Sequence, residues 1–348
     1  MRREHQWSFQ LVCLFFHFSL FPTFVRSQPP SQYLDACNIS SEVRQDIIPS
    51  FSFIKTHKTG SSTVAGICLR VVYWRRLKIH IPPGFTFQRN SLTGKGMGRH
   101  EFDALCNHGT FNEQIFRANT KQPTFIFTIL RDPAARIISA HNHQRSISWE
   151  QRVDKLDQQM PWRTNAYKIV NANAGHLGWY EFSKSSGKQD RNVEMIRSFI
   201  EYLNATLDQV LITEHLLPGL VLFHHNTNLS LSEVVPRAFR VRHSTTDDVK
   251  VTAKTHRSYL LPTKSQLEKI LELALVDRMI YDFFLEKHRR SWQDRASHQP
   301  IVLQELQELQ CMQTEIANAP DLPSYWDMDS QEFEKMLKKK YKKEGTLG

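Results

Sequence analysis

Phe51-Ser-Phe-Ile-Lys-Thr-His-Lys-Thr-Gly-Ser-Ser-Thr63 reads as an apolar strand, a short polar loop and the start of an amphipathic helix running through Val64 to Tyr73. That arrangement suits a phosphate. The first N–H groups of a helix lack intrahelical partners, and the helix dipole favours an anion there. Gly60 permits close backbone approach. Thr59, Ser61, Ser62 and Thr63 add hydroxyls, and Lys55 and Lys58 add charge. The loop is not that of a nucleoside triphosphatase, which requires G-x-x-x-x-G-K-[ST]. Here Lys58 precedes Gly60, and no glycine stands upstream in the loop. A second candidate follows another apolar run, Thr124–Leu130, in Arg131-Asp-Pro-Ala-Ala-Arg-Ile-Ile-Ser139. Asp132 suits a helix cap and Pro133 a first helical turn. Arg131 at the strand end and Ser139 two turns along the helix can hold one phosphate, by a charged fork and a hydroxyl.

The order K-[ST]-G-[ST]-[ST] resembles the 5′-phosphosulfate loop of sulfotransferases that use 3′-phosphoadenosine 5′-phosphosulfate (PAPS). The pattern R-[DE]-P-x-x-R-x-x-S resembles their 3′-phosphate motif. The longer run Phe53–Thr63 is similar to the galactose 3-O-sulfotransferase family, which includes galactosylceramide sulfotransferases. So are Leu105-Cys-Asn-His-Gly-Thr-Phe-Asn112, Leu211–Leu222 and Tyr281-Asp-Phe-Phe284. The resemblance spans residues 50–290. It departs at His215-Leu216, where an aromatic and acidic pair is more usual, and at Asn107-His108, where paired histidines are common. It implies a P-loop-like PAPS-dependent sulfotransferase fold, PAPS as donor, no metal, and a galactose-terminated glycolipid or glycan as acceptor.

Sulfuryl transfer to a sugar hydroxyl needs a base for the proton and fixed positive charge for the departing bridging oxygen. Lys58, at the loop entry, is the candidate for the charge, with Lys55 assisting or purely structural. His57, beside Lys58, is the preferred base. His108 is the alternative, because its segment resembles the region carrying a catalytic histidine in uronyl 2-O-sulfotransferases. A nearby lysine holds either imidazole neutral. His215 has a weaker case, and Glu214 is a candidate acceptor contact. Trp162, Trp179 and Tyr180 could stack on a sugar or belong to the core. Two other readings stay open: a uronyl 2-O-type glycosaminoglycan sulfotransferase, and a lectin-like relative that keeps the fold without turnover.

These residues need a frame. Apolar segments at 51–55, 124–130 and 209–213, separated by helical ones, predict an α/β fold, a parallel sheet flanked by helices. Ligands of such sheets bind beyond the strands' carboxyl ends, where both phosphate motifs fall. The proposed organisation is an anchor over 1–26, a stem over 27–49, a catalytic domain over 50–290 and a polar helical tail over 291–348. In that tail Leu303, Leu306 and Leu309 have the spacing of a docking face.

The chain has 348 residues and a net charge of +10, enough for a sizeable core and an affinity for anions. No zinc spacing, RNA-recognition signature or basic-aromatic array points to nucleic acid, and much of the excess charge lies in Lys338–Lys343. Arg2 and Arg3 precede an apolar run from Trp7 to Val25. That length and charge predict a single-pass type II anchor or else a cleaved signal peptide, either of which puts the remainder in the secretory lumen; the family resemblance implies that the anchor lies in the Golgi membrane. Sequons at Asn38, Asn204 and Asn228 agree with a lumenal location. Cys37, Cys68, Cys106 and Cys311 allow up to two bridges there, with Cys68 a candidate core thiol. Homodimerisation is left open.

Overall fold

The computed structural model describes residues 37, 50–80, 86–87, 101–106, 108–144, 148–151, 170–186, 192–236, 261–318, 335–336 and 339. The N-terminal segment, Asn38, Asn107 and Trp162 lie outside them, so the anchor and the first sequon are expectations from sequence only. Among the described residues no helix is long and apolar enough to cross a membrane.

Among the described residues, seven strands form two sheets: β1 (Ser50–Ile54), β2 (Ile79–His80), β3 (Thr86–Phe87), β4 (Ala104–Leu105), β5 (His108–Gly109), β6 (Thr124–Leu130) and β7 (Gln209–Ile212). The main sheet has the order β2-β4-β1-β6-β7, and every pairing in it is parallel. The predicted parallel sheet is therefore present. β3 and β5 pair separately, also in parallel.

The long strands read as unbroken apolar runs because both of their faces are covered. Phe51, Phe53, Phe127, Ile129 and Leu211 point into one core cluster. Ile54, Ile126, Leu130, Val210 and Ile212 point into the other. The first cluster is closed by α1 (Ser61–Arg75), α7 (Leu216–Thr227), α8 (Leu231–Val234) and α11 (Ile301–Asn318); these come with α2 (Glu113–Asn119), α3 (Pro133–Gln144), α4 (Ala172–His176), α5 (Trp179–Ser186), α6 (Val193–Thr206), α9 (Lys264–Leu273) and α10 (Leu275–His298). Buried residues of α6 and α10 close the second cluster.

Helix α1 is less amphipathic than its sequence predicts. Val64, Ala65, Ile67, Cys68, Leu69, Arg70, Val71 and Val72 are all buried. Arg70 lies within this set, and its guanidinium donates to the carbonyl of Val235 at 2.6 Å. An arginine inside an apolar run thus caps a buried carbonyl rather than marking a solvent face.

The C-terminal stripe also differs from expectation. Val302, Glu305, Leu309, Met312 and Ile316 face inward on α11, whereas Leu303 is exposed. The helical repeat selects a face one residue away from the leucine spacing at its start. Leu306 is half-buried against the same core. A disulfide joins Cys37 to Cys311 across a separation of 274 residues. Cys68 and Cys106 are buried.

Candidate active site

Strands β1, β6 and β7 end side by side, and hydroxyl groups stitch the ends together. Thr56 Oγ1 donates to the carbonyl of Ile129 at 2.6 Å, and Thr128 Oγ1 to that of Ile54 at 2.8 Å. Thr213 Oγ1, just past β7, lies 2.6 Å from the carbonyl oxygen of Thr59 and 2.8 Å from that of Leu130. One threonine thereby fixes the phosphate-loop candidate against the neighbouring strand end. Sequence reasoning passed over it, although it stands directly before Glu214.

The loop itself turns twice through left-handed backbone, at Lys58 (φ 64°) and Gly60 (φ 74°). A glycine holds this conformation without penalty, whereas lysine adopts it at some cost. Thr59 and Ser61 are buried. The Thr59 hydroxyl lies 2.8 Å from that of Thr56, and Ser61 donates to the Thr56 carbonyl. These two hydroxyls, expected to face a ligand, shape the loop instead. Ser62 is exposed and Thr63 half-buried. No side chain caps the N-terminus of α1, and no acidic residue lies in its first turn. A helix start left in this state, with Lys55 and Lys58 beside it, fits an anion.

The second motif forms as its sequence predicts. Asp132 caps α3 by accepting from the Ala135 N–H at 2.8 Å. Arg131 Nη1 reaches the carbonyl of Lys58 at 3.4 Å, so the two motifs touch. Ser139 is half-buried further along α3. The motif's other arginine, Arg136, does not face solvent. It is fully buried and paired with Asp277.

Glu214, the candidate acceptor contact, is exposed and also has structural partners. Its carboxylate accepts from the Asp132 N–H at 3.1 Å and from the Tyr281 hydroxyl at 3.1 Å. It braces the Arg131-Asp132 turn. Burial first, and then the Glu214 charge, push the Tyr281 phenol up, so it stays protonated and donating. His215 stacks on His288 at 5.8 Å.

Above the loop lie three imidazoles. His57, exposed at the loop tip, stacks on His108 with ring centroids 4.2 Å apart, and meets His176 edge-on at 4.5 Å. His176 ends α4 and was not singled out from sequence; its one signal is an Asn-rich polar stretch leading into a histidine. His108 Nδ1 lies 2.8 Å from the carbonyl of Lys55. A carbonyl only accepts, so Nδ1 carries the hydrogen and Nε2 presents its lone pair. Burial, then the Lys55 charge, lower the His108 pKa to about 3. Burial, then His57, lower that of His176 to about 3. His57 is also lowered, by desolvation and then by Lys55, Arg136, Lys58 and His143.

The aromatic residues divide. Trp179 is fully buried in a cluster with Phe182 and Phe199 and so belongs to the core, not to a sugar platform. Tyr180 is half-buried. Asn204 is exposed in the last turn of α6, and Asn228 is half-buried at the end of α7.

A parallel sheet with an uncapped helix start and a lysine-bearing loop at its carboxyl edge, beside a cluster of imidazoles, defines an α/β protein with a phosphate-loop-type site. Comparison with known families gives the finer assignment. Residues 8–310 match the galactose-3-O-sulfotransferase family model. The chain is 25% identical to mouse galactose-3-O-sulfotransferase 2 over 296 residues, 80% of this chain and 71% of the relative. It is 26% identical to the human form over 286 residues, 78% of this chain and 68% of the relative. A shorter stretch of 97 residues is 34% identical to human galactosylceramide sulfotransferase, covering 26% of this chain and 23% of the relative. The chain belongs to the galactose-3-O-sulfotransferase family.

Proposed function

We propose that the chain is a PAPS-dependent sulfotransferase acting on the 3-hydroxyl of galactose at the end of a glycolipid or glycoprotein glycan, from a Golgi membrane anchor with its catalytic domain in the lumen. The observation that carries this reading is the contact between the two motifs: Arg131 on the Lys58 carbonyl at 3.4 Å, directly beside the stacked His57 and His108. A donor with phosphate at both ends of a nucleoside calls for two adjoining anion sites. The uncapped start of α1 fits its 5′-phosphosulfate, and Arg131 with Ser139 its 3′-phosphate. Thr59 and Ser61 contribute backbone N–H groups and loop shape, while Ser62 and Thr63 retain hydroxyls for the ligand.

When bound, PAPS supplies the sulfuryl group and departs as adenosine 3′,5′-bisphosphate. Lys58 holds positive charge at the point where the bridging oxygen becomes anionic. Lys55, buried at the end of β1, adds to that field. His57 takes the proton of the sugar hydroxyl. It is preferred to His108 because a base works best with a pKa near the working pH, and His108 and His176, at about 3, bind a proton too weakly. The two act instead as neutral walls that orient the His57 ring. An anion beside Lys55 and Lys58 offsets charges that depress His57, so donor binding prepares the base.

The test is incubation of the full chain with sulfur-labelled PAPS and a panel of β-galactosides, galactosylceramide and heparan. Label on the galactose 3-hydroxyl is the expected result. Label only on heparan would replace this acceptor reading, and donor binding without transfer to any acceptor would replace it with a lectin-like role.

A further inference from the structure

Far along the chain from the proposed catalytic residues, His224, His225 and Glu305 bring three ligand atoms within 4.8 Å of one another. The histidines occupy the last turn of α7, and Glu305 lies on the inward face of α11. His225 Nε2 is 2.6 Å from Glu305 Oε2, and His224 Nε2 is 3.5 Å from Glu305 Oε1. All three side chains are largely buried, at 8% exposure for His224, 13% for His225 and 11% for Glu305. None has a part in the proposed sulfuryl transfer.

The tautomer of His224 gives the cluster its chemistry. Nδ1 is hydrogen-bonded to the carbonyl of Leu229. That oxygen can only accept, so a hydrogen is on Nδ1, and the Nε2 side of the ring faces a carboxylate oxygen. That nitrogen can meet the carboxylate either as an N–H donor of the charged ring or, through its lone pair, by way of a shared cation. An imidazole oriented through its second nitrogen by a backbone carbonyl is the usual arrangement of a metal ligand. Two imidazoles and one carboxylate form a zinc-type donor set with a fourth position open to water. Around a tetrahedral ion with bonds of about 2.0–2.1 Å, ligand atoms stand about 3.3 Å apart. The His224 contact, at 3.5 Å, is close to that value; the His225 contact, at 2.6 Å, is a hydrogen bond that a bound ion would replace.

We propose that His224, His225 and Glu305 form a divalent-cation site, best matched to Zn²⁺, that clamps α11 onto α7. The ion ties the first half of α11 to the catalytic domain, and the Cys37–Cys311 disulfide ties its second half to the stem. The role is structural: the site adds a cross-link between two helices that already share the Val302, Leu309 and Met312 core.

The experiment uses the full chain, stripped with chelator, dialysed and titrated with ZnCl₂, alongside Glu305→Gln and His225→Gln. Glu305→Gln keeps the side-chain volume. His225, the most exposed of the three, gives a second variant should the first fail to fold. The wild type is expected to bind one equivalent that neither variant binds. Zinc at a hundredfold excess over Kd should raise its Tm by about 5 °C, and should slow hydrogen exchange in α11. Zinc retained by the variants would put the ion elsewhere, for example at His57, His108 and His176, and overturn the proposal. A wild-type Tm that follows pH but ignores zinc would also overturn it, since the carboxylate would then be held by an imidazolium.

Discussion

Arg136 Nε lies 3.5 Å from Asp277 Oδ2, with the two side chains 1% and 0% exposed. The pair is embedded in hydrogen bonds. Arg136 Nη2 donates to the carbonyl of Val170 at 2.8 Å, and Asp277 accepts from the N–H groups of Ala174 at 2.7 Å and Asn173 at 3.2 Å. Asn171 closes the ring, accepting from the Asp277 N–H at 3.1 Å and donating to the Leu273 carbonyl at 2.9 Å. Three elements meet here: α3, which follows Arg131 and carries Ser139, α4 with His176, and the first turn of α10.

Breaking this pair should therefore cost more than surface logic suggests. Removing one partner leaves a buried charge, a loss of about 3–5 kcal/mol. Asp277→Ala should lower Tm by roughly 10 °C. The double variant Arg136→Met, Asp277→Leu should recover part of that, because no lone charge remains. Thermal unfolding decides: an Asp277→Ala protein that melts with the wild type would remove the pair from the framework.

Arg131 should behave in the opposite way. It is half-buried at the strand end, and its proposed work is donor binding. Arg131→Ala should leave Tm nearly unchanged and raise KM for PAPS roughly ten- to a hundredfold, the worth of a charged hydrogen bond of about 1.5–3 kcal/mol. Ser139→Ala should move KM less, in the same direction. Unchanged donor affinity in both would end the 3′-phosphate assignment.

The contrast between these arginines marks the boundary of what the sequence discloses. The loop, the Asp132 cap and the parallel strands are local, written in short apolar runs and turn chemistry, and they are legible. So is the placing of both motifs at the sheet's carboxyl edge. The partner of Arg136 stands 141 positions away by residue number, and nothing near Asp277 distinguishes it from a surface carboxylate at the start of a helix. His176 joins His57 only through tertiary packing. The polar neighbours of Trp179 leave sugar stacking and core both open in the sequence, and α5 turns it into a cluster with Phe182 and Phe199. Nothing local to Glu214 reveals the Asp132 N–H and the Tyr281 hydroxyl that it holds.

Two sequons can be examined on the folded protein. Asn204 is exposed, with its side-chain carbonyl accepting from Lys287 Nζ at 2.7 Å, and Asn228 is half-buried in a left-handed cap (φ 55°). A lumenal protein should carry glycan at Asn204 more fully than at Asn228. Peptide mapping after glycosidase treatment measures both. A secreted or Golgi-resident preparation bare at Asn38, Asn204 and Asn228 would count against a lumenal catalytic domain.

Chelation should separate chemistry from clamp. With Lys58 supplying charge to the leaving oxygen, turnover well below Tm should survive EDTA. The zinc clamp on α11 predicts a lower Tm in the same buffer. Complete loss of turnover that metal restores, with no change in Tm, would require a metal in the transfer step.

The base and the charge should separate in a pH profile. Lys58→Ala should depress kcat while sparing acceptor KM, because its contact with the bridging oxygen strengthens only as that bond breaks. His57→Ala should depress kcat by roughly a hundred- to ten-thousandfold. Partial desolvation at the loop tip and neighbouring cations lower the His57 pKa, so the neutral base is present above it and lost as pH falls through it. The acidic limb should therefore fall below about 6.5, the ordinary histidine value, and move upward as donor occupies the site. His108 and His176, at about 3, remain neutral across that range and contribute no limb. His57→Ala should erase the limb and His108→Ala should keep it. If His108→Ala erases it while His57→Ala only weakens PAPS binding, His108 is the base, its Nε2 aimed by the bond from Nδ1 to Lys55, and His57 is a donor-loop residue.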